Sequence, residues 1–496
     1  MSNSQLTWPK NPKIYEINTW PWFNTLSDVY STPITLKNIP DEIINREVKL
    51  FDAVWLMGVW ERSPASKRIA LEHPGLLNEF HSALHEFNDE DVVGSPYAVY
   101  YYHVENKLGG TDGLKKTRKQ LSDNEIKLIL DYVPNHVSID SLWTLEPNLF
   151  IEGTLNDLMQ HPEEFFSISG QIYAHGRDPN FPAWTDTIQL NAFSKEVREK
   201  TINTLLNIAE LCDGVRCDMA MLLTNKVFNR TWGEKAGSVP KEEYWEEVIS
   251  SVKERFPNFL FIAEVYWDME WELLQQGFDF CYDKRLYERL ISGDSNGIRD
   301  HLNANWEDQR RLVRFIENHD ELRAVEKFGY GKSRAAAIIA LTLPGARLVH
   351  EGQMKGYKIK LPVQLDKRQI EEVDQNLLKF YISLLKIDPG NFRNAKWALC
   401  NLSPIDSADD SYRNLVSYLW WSEDVYQLVV VNFSSSPSKA HLKSDNLEYG
   451  FDEWMFKDLL NNKVYVYKGE DLDKYGLYID LEAWNGHIFN IKKKLG

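Results

Sequence analysis

Runs of residues that are apolar on both faces recur along the chain up to about residue 390. Lys13 to Trp20 opens the series, and Phe51–Trp60, with the sequence FDAVWLMGVW, states its form most plainly. Ile126 to Asp131, residues 211–220, Phe259 to Glu264, Phe278 to Asp283, Leu312 to Glu317 and Ala346 to Val349 repeat it. Strands with no polar face belong to parallel sheets covered by helices. Helical patterns such as Lys195 to Leu211 and Lys241 to Arg255 fall between them. Eight such strands predict an α/β chain built on a (β/α)8 TIM barrel, with its active site at the carboxyl ends of the strands.

Residues 137–192, after the third strand, are too many for an ordinary βα loop and are rich in Pro, Phe and Trp. Loops of that length are usually functional, so an inserted subdomain is expected there. Beyond about residue 390 the pattern becomes short β segments with no helices between them: Lys396 to Leu402, Leu415 to Trp421, Val425 to Phe433, Lys463 to Tyr467 and His487 to Ile491. The expected organisation is therefore a catalytic barrel over residues 1–136 and 193–390, an inserted subdomain over 137–192, and a C-terminal antiparallel β-sandwich domain over 391–496.

Composition narrows the partners. The 496 residues carry a formal net charge of -17, which argues against nucleic acid and anionic membranes, since both need basic surface. The first ten residues lack the basic start and apolar core of a signal peptide, and the longest apolar run, Ala335 to Leu343, stops at Pro344. Cys212, Cys217, Cys281 and Cys400 follow neither a disulfide nor a metal-site spacing, so a cytoplasmic location is the simplest expectation. Oligomeric state has no signature here.

Chemistry gathers at the strand ends. In residues 211–220, LCDGVRCDMA, Arg216 and Asp218 lie two apart and share one face of a strand. A carboxylate beside a guanidinium in a dry site keeps its charge, as a nucleophile must. A structural Arg–Asp pair would read the same way, and this stretch alone leaves both open. In Asp131-Tyr132-Val133-Pro134-Asn135-His136, Pro134 fixes the chain as it leaves the sheet, and Asn135 and His136 offer donors. Glu264, in FIAEVYW, sits among apolar and aromatic neighbours, where burial favours the protonated form of a general acid. Its strand neighbours that of Asp218, so the pair suits the separation of about 5–5.5 Å used by retaining glycosidases. Phe315 to Glu321, FIENHDE, ends the seventh strand in polar residues, among which Asp320 reads alternatively as a helix N-cap.

These four stretches together resemble the α-amylase family of glycoside hydrolases, which carries Asp-x-x-x-Asn-His, Gly-x-Arg-x-Asp, a Glu ending the fifth strand and Asn-His-Asp in this order. The resemblance covers about residues 13–390. It implies that Asp218 is the nucleophile, Glu264 the general acid/base and Asp320 the carboxylate that holds sugar hydroxyls. It also implies that Tyr97, His136, Arg216 and His319 bind the substrate. The implied reaction is hydrolysis of α-glucosidic bonds in α-glucans or malto-oligosaccharides by double displacement. The alternatives are an α-glucanotransferase or glycoside phosphorylase using the same glycosyl-enzyme, and, from another class, a sugar-binding or partner protein that kept the barrel. The sequence departs from the family at Met221-Leu222, where many members have Lys-His, at Tyr101, where an Asp is common, and at His350-Glu351-Gly352-Gln353-Met354. Met221-Leu222 removes a leaving-side sugar contact and a backbone ligand of the usual calcium site, so no cofactor is expected, with calcium at Asn135 as the alternative.

Overall fold

The computed structural model describes residues 7–494. Residues 1–6, which carry most of the leader reading, and residues 495–496 of the C-terminal domain lie outside the described residues. Strands form at each of the apolar runs: β1 (Lys13–Asn18), β2 (Ala53–Met57), β3 (Lys127–Tyr132), β4 (Gly214–Cys217), β5 (Leu260–Ala263), β6 (Phe280–Tyr282), β7 (Leu312–Arg314) and β8 (Ala346–His350). They close a barrel in sequential order, β8 following β1. The first run differs from expectation at its end, because the chain turns helical at Thr19. Pro21 lies in the first turn of that helix, where a missing N–H leaves no intrahelical bond unmade.

The chain divides into two compact units. One holds Ile14–Tyr282 and Ile359–Ile370; the other holds Pro9–Lys13, Asp283–Lys358 and the residues from Glu371 on.

In the first unit, β3, β4 and β5 run parallel with Arg216 opposite Asp131 on one side and Ile262 on the other. Gly214 faces Leu260, and a Cβ there would lie 2.7 Å from the Leu260 Cβ and 2.8 Å from its carbonyl oxygen. Glycine is thus what lets β4 and β5 approach. The inserted stretch leaves the barrel through His136–Ser138, which pairs with the returning Thr187–Gln189, and adds the hairpin Phe165–Ile168 with Gln171–Ala174. Val137, Trp143, Leu149, Phe150, Tyr173, Ile188 and Leu190 give it a core of its own.

In the second unit, the C-terminal residues form a six-stranded and a three-stranded sheet around Leu419, Leu428, Phe456, Ile479 and Ile491. Three strands were not foreseen: Ser438–Lys443, Glu453–Asp458 and Leu477–Leu481. The expectation of no helices in this region fails at Gly469–Tyr475, a helix with Glu470 and Asp471 in its first turn and Lys474 in its last, the charge order that the helix dipole favours.

Candidate active site

Each group of side chains sits where a barrel strand ends. Asp218 follows β4 and Glu264 follows β5, and their backbones interlock: the Glu264 N–H donates to the Cys217 carbonyl at 3.0 Å, and the Ala220 N–H donates to the Glu264 carbonyl at 3.0 Å. Arg216, buried on β4, divides its guanidinium between them. Its Nη1 lies 2.8 Å from Asp218 Oδ1 and its Nη2 2.7 Å from Glu264 Oε2. Asp131, at the end of β3, stands 3.7 Å from the same Nη1 and accepts the Gly58 N–H at 3.3 Å. The rings of Tyr97, Trp55 and Tyr282 enclose the guanidinium at 5.2, 5.3 and 5.8 Å. Burial works against the Arg216 charge, but Glu264, Tyr97, Tyr282 and Asp218 outweigh it and hold its pKa well above the usual value.

The structure corrects the expected setting of Glu264. Its carboxylate is not isolated among apolar neighbours: besides Arg216, the Met219 N–H donates to Oε2 at 2.7 Å and the Tyr266 hydroxyl to Oε1 at 2.9 Å. Tyr266 could have been found from sequence, because it lies two residues beyond Glu264. Met219 could not, since its N–H is aimed by a left-handed backbone (φ 43) that no Met announces.

His136 and Tyr97 meet directly, His136 Nε2 lying 3.1 Å from the Tyr97 carbonyl. A carbonyl only accepts, so that nitrogen carries the proton, and Nδ1 accepts from the Asn135 amide at 3.2 Å. Burial lowers the His136 pKa to about 4, with the Tyr97 bond opposing it, and the ring is neutral at neutral pH.

The second unit holds the other expected residues after β7. His319 is buried, its Nε2 3.1 Å from Asp320 Oδ2, while Asp320 is 44% exposed. The helix-cap reading of Asp320 does not hold: Asn318 Oδ1 accepts the N–H groups of Asp320 and Glu321, both at 3.0 Å, and the next helix starts only at Ala324. Glu317, absent from the expected site, is buried and bound by Arg323 Nη1 at 2.6 Å, by His350 Nδ1 at 3.0 Å and by the Ala324 N–H at 2.6 Å. Burial disfavours its charge, yet Arg323 and His350 together hold its pKa below the ordinary value.

The family's usual calcium does not suit these residues. Asn135 Oδ1, which a cation would need, accepts from Gln189 Nε2 at 3.0 Å, and the same nitrogen lies 2.9 Å from the Asn135 carbonyl and 3.0 Å from that of Leu190. An amide donor occupies this ring of oxygens.

The chain is similar to known proteins. Residues 97–398 match the family profile described as the alpha-amylase catalytic domain. Alpha-amylase MalA of Haloarcula japonica is 23% identical over 351 residues, 69% of this chain and 48% of that protein. Alpha-amylase 3 of Dictyoglomus thermophilum is 23% identical over 305 residues, 56% of this chain and 57% of that protein. The chain thus spans about half the length of these curated relatives. Among solved structures, the acarbose complex of the Geobacillus thermoleovorans alpha-amylase has a TM-score of 0.67 at 18% identity, covering 99% of this chain and 100% of that one. With a profile matched over more than half its length and the motif carboxylates at the ends of barrel strands, the chain belongs to the alpha-amylase family.

Proposed function

We propose that the chain is a retaining α-glycoside hydrolase acting on α-glucans or malto-oligosaccharides. The observation that carries this reading is the single guanidinium of Arg216 shared by Asp218 and Glu264 at adjacent strand ends. Asp218 attacks the anomeric carbon while Glu264 gives its proton to the departing oxygen, leaving a covalent glycosyl-enzyme. Glu264 then takes a proton from water, whose oxygen displaces Asp218 with net retention. Asp131 also stands near, 3.7 Å from Arg216 Nη1. Tyr97 and His136 are proposed to bound the glycone subsite, and the roles of Asp320 and His319 in binding sugar hydroxyls are carried over from the family motif alone. No metal takes part. The proposed partner is a neutral saccharide. No helix among the described residues is long and apolar enough to cross a membrane, and the cytoplasmic location stands as a proposal.

The test is a panel of α-glucosides with and without phosphate, read by product chromatography and anomer analysis. Free sugar of retained configuration supports the reading. Transfer products or a sugar phosphate would instead assign the transferase or phosphorylase alternative, and no turnover of any α-glucoside would overturn it. An Asp320→Ala variant with wild-type turnover would remove Asp320 from the site.

A further inference from the structure

Away from the Arg216 cluster, helix Lys195–Ala209 forms one wall of an open cleft of about 670 Å³. The facing walls are strand Val99–Val104 and the short turns of residues 142–149. Its volume lies in the range of about 300–1,000 Å³ that ligand sites occupy.

The helix lines the cleft with Glu199, Asn203 and Asn207, spaced four apart and therefore on one face. Both asparagines are exposed, and among the described residues neither side chain makes a hydrogen bond to the protein. Asparagine is a poor former of helix interiors, so helix stability does not explain two of them there. Opposite stands the half-buried ring of Tyr101, set edge-on to His103 at 4.8 Å. The cleft's one lysine is already used: Lys200 pairs with Glu146 at 2.7 Å and lies 5.0 Å over the Trp143 ring. Glu199 pairs with Lys195 at 3.2 Å, and Glu196 leaves the cleft acidic, which disfavours anionic ligands. Amide donors and acceptors opposite an aromatic ring, without free positive charge, suit a neutral polyhydroxylated chain.

We propose that this cleft is a second, non-catalytic α-glucan-binding site, with Asn203 and Asn207 meeting sugar hydroxyls and Tyr101 offering a stacking face. The choice of α-glucan rests on the proposed function; the cleft itself does not. The test uses the full chain carrying Asp218→Asn, so that glucan is not digested, run in native gels containing soluble starch. Adding Asn203→Ala with Asn207→Ala should raise the dissociation constant for starch about tenfold, as expected for two lost hydrogen bonds. In the active background the same pair should leave kcat/KM on a short chromogenic maltoside within about twofold, since alanine only strengthens an exposed helix. Equal retardation with and without the asparagines would overturn the inference, as would a parallel fall in short-substrate turnover. If the active chain cleaved no α-glucoside while the retardation difference persisted, the hydrolase reading would fail and the binding site would stand.

Discussion

One guanidinium serving two carboxylates makes the roles of Asp218 and Glu264 separable only by chemistry. On the proposed roles, Asp218→Ala removes the nucleophile, so no substrate should form a covalent adduct. Glu264→Gln keeps the neutral partner for Tyr266 and Met219 but cannot protonate a leaving group, and turnover of an unactivated glucoside should fall by about 10²–10⁴-fold. An α-glycosyl fluoride needs no such proton. It should therefore glycosylate the Glu264→Gln variant at Asp218 and leave Asp218→Ala untouched, as mass spectrometry of the intact protein would reveal; an unmodified Glu264→Gln chain would refute the assignment. His136 carries a separate, thermodynamic signature. Its folded pKa of about 4 lies below the ordinary histidine value, so between the two the unfolded chain binds the extra proton and stability falls as pH drops. From pH 7 to pH 4 this one residue should cost about 3 kcal/mol, and urea midpoints of His136→Gln should lack that part of the slope. At this scale the motif residues were legible because chemistry restricts which side chains stand at a strand end. Glu317 with Arg323 and His350 was not, because a buried ion pair between successive strand ends has no spacing that distinguishes it from solvent-facing charge.

Elements, more than side chains, set the separation of the two carboxylates proposed to be catalytic. Strands β4 and β5 approach so closely at Gly214 and Leu260 that no side chain fits, and the register found there continues to Cys217 opposite Ala263, one residue before Asp218 and Glu264. Gly214→Ala should push the strands apart and cost about 1–3 kcal/mol as an overpacked core position. Activity should fall further than stability alone explains, because both carboxylates ride on the displaced strands. Gly170→Ala provides a contrast: a Cβ there meets nothing within 4 Å, so although its positive φ of 81° strains the backbone, the site is remote from β4 and β5 and kcat should not change. Equal kcat for Gly214→Ala and wild type at a temperature where both are folded would show that the register does not set the site. Barrel strands were legible from sequence because they are apolar on both faces, a pattern that few other elements produce. The three unforeseen C-terminal strands bury only alternate positions, as Ser438–Lys443 does, and their outward Lys, His and Asp residues hide the period in so short a window.

At the scale of the whole molecule, the question is what holds the inserted stretch to the barrel if no cation does. Asn135 and Gln189 are both fully buried and exchange reciprocal amide bonds, Asn135 Nδ2 to Gln189 Oε1 at 3.1 Å and Gln189 Nε2 to Asn135 Oδ1 at 3.0 Å. Asn135 leads out of β3 and Gln189 ends the strand that brings the insertion back, so this pair ties the two ends of the segment together. A cation bound only to the folded state would make the melting temperature rise with its concentration. A neutral amide pair makes no such link. EDTA should therefore leave both the melting temperature and kcat unchanged, and added calcium should shift neither. Gln189→Ala should strand the buried Asn135 oxygen and amide, costing about 1–3 kcal/mol, and the damage should resist calcium because one ligand carbonyl cannot replace a coordination shell. A melting temperature that dropped in EDTA and returned with calcium would overturn this account, and so would a Gln189→Ala variant as stable as wild type. If both held, the buried amide pair would tie the insertion to the barrel without a metal.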